Sequence, residues 1–369
     1  MNILVAGDFV PRFRVKELTE AGNYVFFDEA KAVTSQMDYS IINFESPVVV
    51  GDATPIVKTG RNLKCHPNTM KAVVYAGFNC VTLANNHFYD FGDKGVSDTL
   101  KACGDNGIAH VGGGMNLNDA ETVLYKQIGT EILAIINFCE NEWSIATETT
   151  GGSAPLHLIH NVNHIKEARN KADYVLVIIH GGTEQYQLPS PRMKETYRFF
   201  VEQGADAVVN HHQHCYSGYE VYQGKPIFYG LGNFCFDKNA PNNHLWNEGY
   251  AVEITFETDG VSFRTWPYIQ CSENPQVHFL DDTSAFENKL NELNNLIADD
   301  TALQESFQKM ARNKSFMQFL EPYSNKNKFV KILKSRGLLP SFLDRKRKNA
   351  ILDVFRCESH KDVMFELLK

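Results

Sequence analysis

Five apolar runs along the chain break off at residues that carry chemistry. Ile3-Leu4-Val5-Ala6 runs into Gly7-Asp8, Ile41-Ile42 into Asn43-Phe44-Glu45, and Val81-Thr82-Leu83-Ala84 into Asn85-Asn86-His87. Val175-Leu176-Val177-Ile178-Ile179 runs into His180-Gly181-Gly182, and Ala207-Val208-Val209 into Asn210-His211-His212-Gln213-His214. Short β-branched and apolar runs bounded by turn residues read as buried strands. Between them the apolar spacing turns helical, over about Arg12 to Ala21, Glu29 to Gln36, Pro67 to Ala76, Gly95 to Asp105, Val162 to Lys171 and Arg192 to Gln203. Strands that alternate with helices predict an α/β fold with parallel pairing, in which ligands bind at the carboxyl ends of the strands. The five runs would deliver two carboxylates, an amide and several imidazoles to one such edge.

The rest of the chain fits around that frame. Residues 51 to 64 form a polar loop between the second and third strands, with Lys58 and Arg61 as cations able to reach over the edge. Residues 121 to 138 predict a hairpin about Gly129-Thr130. Glu140 to Ala154 is polar and glycine-containing, a lid candidate. The triplet Gly112-Gly113-Gly114 lacks both the Walker lysine and the GxGxxG spacing, so as a phosphate cradle it is a weak signal. Strands are expected over Gly218 to Tyr222, Ile227 to Tyr229, Tyr250 to Phe256 and Val261 to Trp266, with loops reaching Asn233 and Asp237 between them. From about Asp281 strand signals vanish and helical periodicity continues to the end, broken at Pro322 and Pro340. The expected organisation is an α/β domain over 1–280 and a helical C-terminal extension over 281–369.

Composition narrows the class without naming it. The formal net charge is −8, and no nucleic-acid partner is expected. The eight cysteines are scattered without CxxC spacing, which reads as reduced thiols packed in a core. No run approaches the roughly 18 apolar residues of a membrane span, and the first residues lack the basic and apolar regions of a signal peptide. A cytoplasmic location is the expectation. Lys326, Lys328, Lys331, Lys334, Arg336 and Arg345-Lys346-Arg347-Lys348 are almost unopposed by acids, as a solvated helix face or as a docking patch for an anionic partner or a membrane surface.

Singly, each strand-end residue has an ordinary reading as a turn former or a hydrogen-bonded surface group. Together they would leave carboxylates repelling one another unless a cation lies between them. A mixed oxygen and nitrogen donor set suits Mn²⁺, Fe²⁺ or Zn²⁺, and the absence of cysteine ligands argues against structural zinc. His212 and His214 point to opposite sides of an extended backbone, one towards each of two ions. Two ions about 3.5–4 Å apart need a bridging oxygen ligand, for which Glu45 is suited.

Gly7-Asp8, Asn43-Phe44-Glu45, Ala84-Asn85-Asn86-His87 with Asp90-Phe91-Gly92, His180-Gly181 with Glu184, and Gly232-Asn233-Phe234 resemble the motifs of the CapA family of poly-γ-glutamate capsule-synthesis proteins. That family is similar to the calcineurin-like metallophosphoesterases, and the resemblance covers about residues 1 to 270. It implies a calcineurin-like sandwich of mixed sheets flanked by helices, with a dinuclear site. Asp8 and His214 would hold the first ion, Glu45 would bridge, and Asn86, His180 and His212 would hold the second. His87 would be general acid or transition-state stabiliser, and Glu184, Asn233, Tyr186 and Arg192 would line the substrate pocket. Lys58 and Arg61, read from their loop and not from the resemblance, are either ordinary surface cations or anion-binding groups of that pocket. Two departures stand out: Val10 occupies the position two after Asp8 where those enzymes carry a histidine, and the bridge is Glu45 where they carry aspartate. His211 competes with His212 as ligand, and the spacing to His214 favours His212.

The implied activity is metal-dependent hydrolysis, of the phosphoesterase type, of an anionic small molecule or polymer in capsule or exopolymer biosynthesis. Two alternatives are a hydrolase of γ-glutamyl amide bonds and a non-catalytic polymer-binding or assembly subunit.

Overall fold

The computed structural model describes residues 1–240, 243–315 and 345–368. Sixteen strands are assigned among them: β1 (Asn2–Val10), β2 (Tyr39–Phe44), β3 (Cys80–Thr82), β4 (Ala109–Val111), β5 (Gly113–Gly114), β6 (Leu124–Ile128), β7 (Glu131–Cys139), β8 (Gly152–Ser153), β9 (Tyr174–His180), β10 (Ala207–His211), β11 (Tyr219–Tyr222), β12 (Lys225–Phe228), β13 (Asn233–Phe236), β14 (Glu248–Glu257), β15 (Gly260–Gln270) and β16 (Val277–Phe279). One sheet runs β16-β15-β14-β1-β2-β3-β4, with β13 also pairing β1. A second runs β11-β12-β10-β9-β7-β6, and β5 pairs β8 alone. Both sheets are mixed. β1 to β4 are parallel, as are β7, β9 and β10, while β14 and β15 are antiparallel additions.

Period-two alternation places each strand's two faces in different cores. Ile3, Val5 and Ile41 of the first sheet join Ile135, Leu176, Ile178 and Val209 of the second in one core between the sheets. Leu4, Ala6 and Ile42 face the other way, against Val15, Phe26, Met70, Val73 and Val96. Val175, Val177 and Ile179 pack against Ile165, Ala168, Tyr197 and Phe200. Burial on both faces explains why these strands read as unbroken apolar runs. The result is the expected sandwich of mixed sheets flanked by helices.

The helices fall at Phe13–Glu20, Asp28–Thr34, Asn68–Tyr75, Gly92–Asp105, Leu158–Arg169 and Pro191–Glu202, close to the ranges the spacing predicts. Leu158–Arg169 begins four residues early because the His157 side chain accepts from the His160 N–H and caps it. Pro191–Glu202 starts with Pro at its first position and Ser190 accepting from the Met193 N–H.

Three expectations change. The stretch through Asn233 is a strand and not a loop, since the apolar run Phe234-Cys235-Phe236 pairs parallel with β1 and sets Asn233 opposite Asp8. The glycine triplet serves close packing, not anion binding: a Cβ on Gly112 would lie 2.0 Å from Asn137 Oδ1, and one on Gly113 2.6 Å from the Phe88 ring. Glu140 to Ala154 is a tied strap and not a free lid, with Glu140, Ser144, Ser153 and Ala154 buried. All eight cysteines are buried and free.

Beyond the sheets come helices Ser284–Ala298 and Asp300–Ser315, then Arg345–Arg356 and Glu358–Leu368. Phe307, Met310 and Ala311 pack with Val354 and Val363, joining the last helices to the body. Pro322, Pro340 and the cations from Lys326 to Arg336 lie outside the described residues, and Arg345 to Lys348 are exposed. Among the described residues, no helix is long and apolar enough to cross a membrane.

Candidate metal centre

The edge formed by the ends of β1, β2, β9 and β10 gathers the ionisable residues. The β1–β2 register shifts between Ala6 and Asp8, a bulge that re-aims the Asp8 side chain. Gly7 permits it, because a Cβ there would sit 2.0 Å from the Gly232 carbonyl oxygen. Asp8 then accepts from Asn43 Nδ2 at 2.7 Å, and that amide nitrogen also stands 3.2 Å from His180 Nδ1. Thr82 Oγ donates to Asn43 Oδ1 at 3.0 Å, which fixes the amide's orientation.

Two donor groups meet at one carboxylate. Asp8, Glu45 and His214 form one, and Glu45, His180 and His212 the other, with ligand atoms in each within 4.8 Å of one another. Glu45 Oε1 lies 3.6 Å from His180 Nε2 and 3.8 Å from His214 Nε2. Asn86 Oδ1 is 3.2 Å from His180 Nε2, and His212 Nδ1 is 3.1 Å from the same nitrogen. His212 and His214 have φ of 94° and 56°, left-handed conformations that cost non-glycine residues about 1–3 kcal/mol each. The strain turns both imidazoles to the site within three residues, helped by the His212 N–H donating to Asp8 Oδ2 at 3.4 Å. His211 stands apart from both groups, with Nδ1 3.6 Å from Asp8 Oδ1.

The electrostatics match an ion site. Burial pushes Glu45 well above the usual carboxylate range, helped by Asp8, Glu184 and Glu142 and opposed by His214. Burial would raise Asp8 too, but the hydrogen bond with His214 and the charges of His211 and His214 hold it low. His214 is pushed up to about 10, because Glu45 and Asp8 outweigh its burial. His180 falls well below its ordinary value through burial and the neighbouring imidazoles. Both Glu45 oxygens are fully buried with no hydrogen-bond partner, an arrangement that divalent cations satisfy. The donor set fits divalent metal.

A cavity of about 480 Å³ opens beside these groups, reached by Asn86, His87, Glu142, His212, Lys58 and Arg61. His87 Nδ1 lies 2.6 Å from Asp90 Oδ2, and Lys58 ion-pairs with Asp90 Oδ1. Burial and the Lys58 charge, against Asp90, lower His87 to about 4, so the ring is neutral at rest. Arg12 and Arg61 line the cavity and repel each other, and both repel Lys238, which Glu184 attracts. Glu184 lines the same cavity.

Three residues assigned to the substrate pocket sit elsewhere. Arg192 is held between Glu140 and Asp362 at 2.7 Å from each. Tyr186 packs on Phe307. Asn233 lies behind His214, its Oδ1 3.0 Å from His214 Nδ1 while its amide donates to the His214 carbonyl. Val10, at the position that departs from the enzymes' pattern, is buried with Leu63, Phe236 and Trp246. Sequence reasoning missed Glu142, whose Oε1 is 3.6 Å from His212 Nε2 and whose Oε2 accepts from Asn86 Nδ2 at 3.4 Å. It follows the carboxyl end of β7, and the strand-end rule applied to β7 would have found it. Arg12 and Lys238 likewise follow the carboxyl ends of β1 and β13, whereas Asp353 and His360 had no such signal.

The family profile described as "Bacterial capsule synthesis protein PGA_cap" matches residues 2–238. The capsule biosynthesis protein CapA of Bacillus anthracis is 34% identical over 269 residues, 68% of this chain and 66% of its own. The PGA biosynthesis protein CapA of Bacillus subtilis (strain 168) is 31% identical over 236 residues, 63% of this chain and 62% of its own. The chain thus spans somewhat under two thirds of the curated relatives it matches. A 5'-nucleotidase precursor from Thermus thermophilus overlaps in structure with a TM-score of 0.45 at 10% identity, over 87% of this chain and 60% of that one.

Proposed function

The chain belongs to the bacterial capsule synthesis protein family, and from that premise we propose that it is a metal-dependent hydrolase of an anionic substrate in capsule-polymer metabolism. The observation that carries the reading is the sharing of Glu45 by two ligand groups. Asp8, Glu45 and His214 would hold one divalent ion, and Glu45, Asn86, His180 and His212 the second. When bound, such a pair supplies Lewis acidity and draws a nucleophile from water at neutral pH. Manganese, iron or zinc suits the mixed donors.

The chain's own residues do the rest. Arg12, Arg61 and Lys238 raise the local concentration of an anion at the cavity mouth. Glu184 opposes them and disfavours an anionic group on its side. Asp90 holds Nδ1 of His87 and so fixes the orientation of the ring in the cavity, and Lys58 keeps the Asp90 carboxylate in place. Glu142 steadies Asn86 and His212 from the strap.

Hydrolysis of a γ-glutamyl amide is a second reading, favoured by the cationic rim, which suits carboxylates as it does phosphates, and by the naming of one relative for PGA biosynthesis. Phosphomonoester, phosphodiester and γ-glutamyl substrates offered to one metal-loaded preparation separate the two. The test of the common core is elemental analysis of untagged protein beside Glu45→Gln. About two ions per chain, reduced to one or none in the variant along with activity, is the expected result. Full metal content in Glu45→Gln, or unaltered hydrolysis in His180→Ala, refutes it.

A further inference from the structure

Asp353 and His360 of the last helices line one part of the metal cavity, and Arg12, Arg61 and Leu63 line another. The same three residues also line a second cavity, of about 710 Å³, within the range of about 300–1,000 Å³ typical of ligand sites. Leu63 is buried, whereas Arg61 is exposed and Arg12 half-buried. The divide between the two cavities is therefore a pair of guanidinium groups open to solvent, over which an extended ligand passes without displacing the core.

The second cavity is cationic where it meets the first. Burial and the Arg61 charge both work against the Arg12 cation, and among the described residues no carboxylate forms an ion pair with Arg12, Arg61 or Lys64. Phe13, with φ of 45°, is 46% exposed, and the Arg12 guanidinium lies over its ring at 4.9 Å from the centre. A guanidinium stays charged at physiological pH and takes a carboxylate in a planar fork. An oxyanion between two such groups relieves their repulsion and gains charge-assisted hydrogen bonds.

Further out stand Lys64, Glu17 and the pair Lys16 and Glu20, the latter two 3.7 Å apart. Across the second cavity four cations face two acids, a formal balance of +2. That is too little for a densely charged chain such as polyphosphate, and suits single carboxylates set apart from one another. Between the charges the lining is apolar, with Val10, Phe13, Val49 and Leu63, which accommodates short aliphatic spacers.

We propose that the second cavity is a distal subsite, and that the metal centre's substrate is an oligomer of spaced carboxylates held across Arg12 and Arg61, with its far units at Lys64. This rests on the metal-centre reading above and deepens it: the chain acts on a length of polymer and not on a single acidic unit. No bond is made or broken in the distal subsite, and Lys64 acts there by position alone.

The experiment uses the full-length, metal-loaded protein carrying His87→Asn, so that the probes outlast a calorimetric titration. Three probes are compared at low ionic strength: γ-glutamylglutamate, γ-linked hexaglutamate and inorganic tripolyphosphate. Hexaglutamate should bind about tenfold tighter than the dimer, the lower end for one further hydrogen bond to a charged group. Adding Lys64→Gln should weaken hexaglutamate about fivefold, between the values for an exposed ion pair and a hydrogen bond to a charged group. Dimer affinity, tripolyphosphate affinity and metal content stay unchanged, and Lys64→Arg restores the hexaglutamate value. Arg61→Ala weakens both glutamate probes, because it borders both cavities. Hexaglutamate binding no tighter than the dimer overturns the proposal, as does an equal loss for both in Lys64→Gln. A fall for tripolyphosphate as large as that for hexaglutamate shows a general anion patch and overturns the spaced-carboxylate recognition. Turnover is followed separately on the wild type. Two bound ions and length-dependent binding without turnover refute the hydrolase reading and leave the subsite standing, whereas turnover with equal binding of dimer and hexamer sinks the subsite alone.

Discussion

Glu140 joins the metal-bearing sheets to the last helices, and removing its charge should loosen that junction in a pH-dependent way. Its Oε1 meets Arg192 at 2.7 Å and Ser359 Oγ at 2.9 Å, while Oε2 accepts from the Gly182 N–H at 3.2 Å. Burial alone would raise its pKa, but the Arg192 charge and these hydrogen bonds bring it from 4.5 to about 2. Asp362, the second carboxylate on Arg192, goes the other way because its burial outweighs the same attraction. Both carboxylates meet the guanidinium at 2.7 Å, but Glu140 is the more deeply buried and also accepts from Gly182, Ser359 and Cys357, so it is the anion the fold depends on. A carboxyl depressed by that much on folding stabilises the folded state by about 3 kcal/mol at neutral pH. Its folded pKa is the lower one, so the contribution is complete above pH 4.5 and disappears as pH falls through about 2. Glu140→Gln keeps the shape but leaves Arg192 only Asp362. Urea unfolding followed by tryptophan fluorescence should show the variant about 3 kcal/mol less stable at pH 7, the gap closing towards pH 2. A gap under 1 kcal/mol at pH 7, or one that stays constant down to pH 2.5, would refute the assignment of this network as the junction.

Two further substitutions probe the site itself. Gly7→Ala forces a Cβ to 2.0 Å from the Gly232 carbonyl oxygen, and overpacking there should cost on the order of 3 kcal/mol. Because the bulge aims Asp8, metal retention after dialysis should fall together with the thermal midpoint, and a variant with wild-type Tm shows the bulge to be dispensable. His87→Asn removes the ring that Asp90 orients and should lower kcat by about 10²–10⁴, with metal content unchanged. Wild-type kcat on every hydrolysed substrate would show that His87 only fills space.

How far the sequence carries depends on whether a residue's position follows from local pattern or from distant packing. That Asp8, Glu45, Asn86, His180 and His212 gather at one edge was legible because parallel strands buried on both faces must be apolar until they reach the edge, so polar residues just beyond the runs share it. The bulge at Gly7 and the left-handed turns at His212 and His214 were not legible, since each answers to a neighbour far along the chain. Arg192 was placed in the pocket by the family resemblance alone; its carboxylate partners come from the strap and from residue 362, and neither can be read from the local pattern. Asp353 and His360 follow a long stretch with no strand signal, and only packing against Trp143 and Glu140 gives them a place. Asn233 was read as a loop residue because four residues of strand, shared with a turn before it, carry too little alternation to register.

The position of β1 has a consequence for how the chain comes to exist. β1 is an interior strand: its parallel partner β2 lies close in sequence, but its antiparallel neighbour β14 pairs Asn2 with Thr255. The edge that β14 covers therefore stays open until a segment far along the chain has folded over it. Such long-range closure is slow and leaves an open strand edge exposed to other chains. Asp8 and His214 both precede β14 in the chain, so the candidate centre is complete only after a strand beyond both of them has closed, and a chain held open before that point would have no assembled edge to offer an ion.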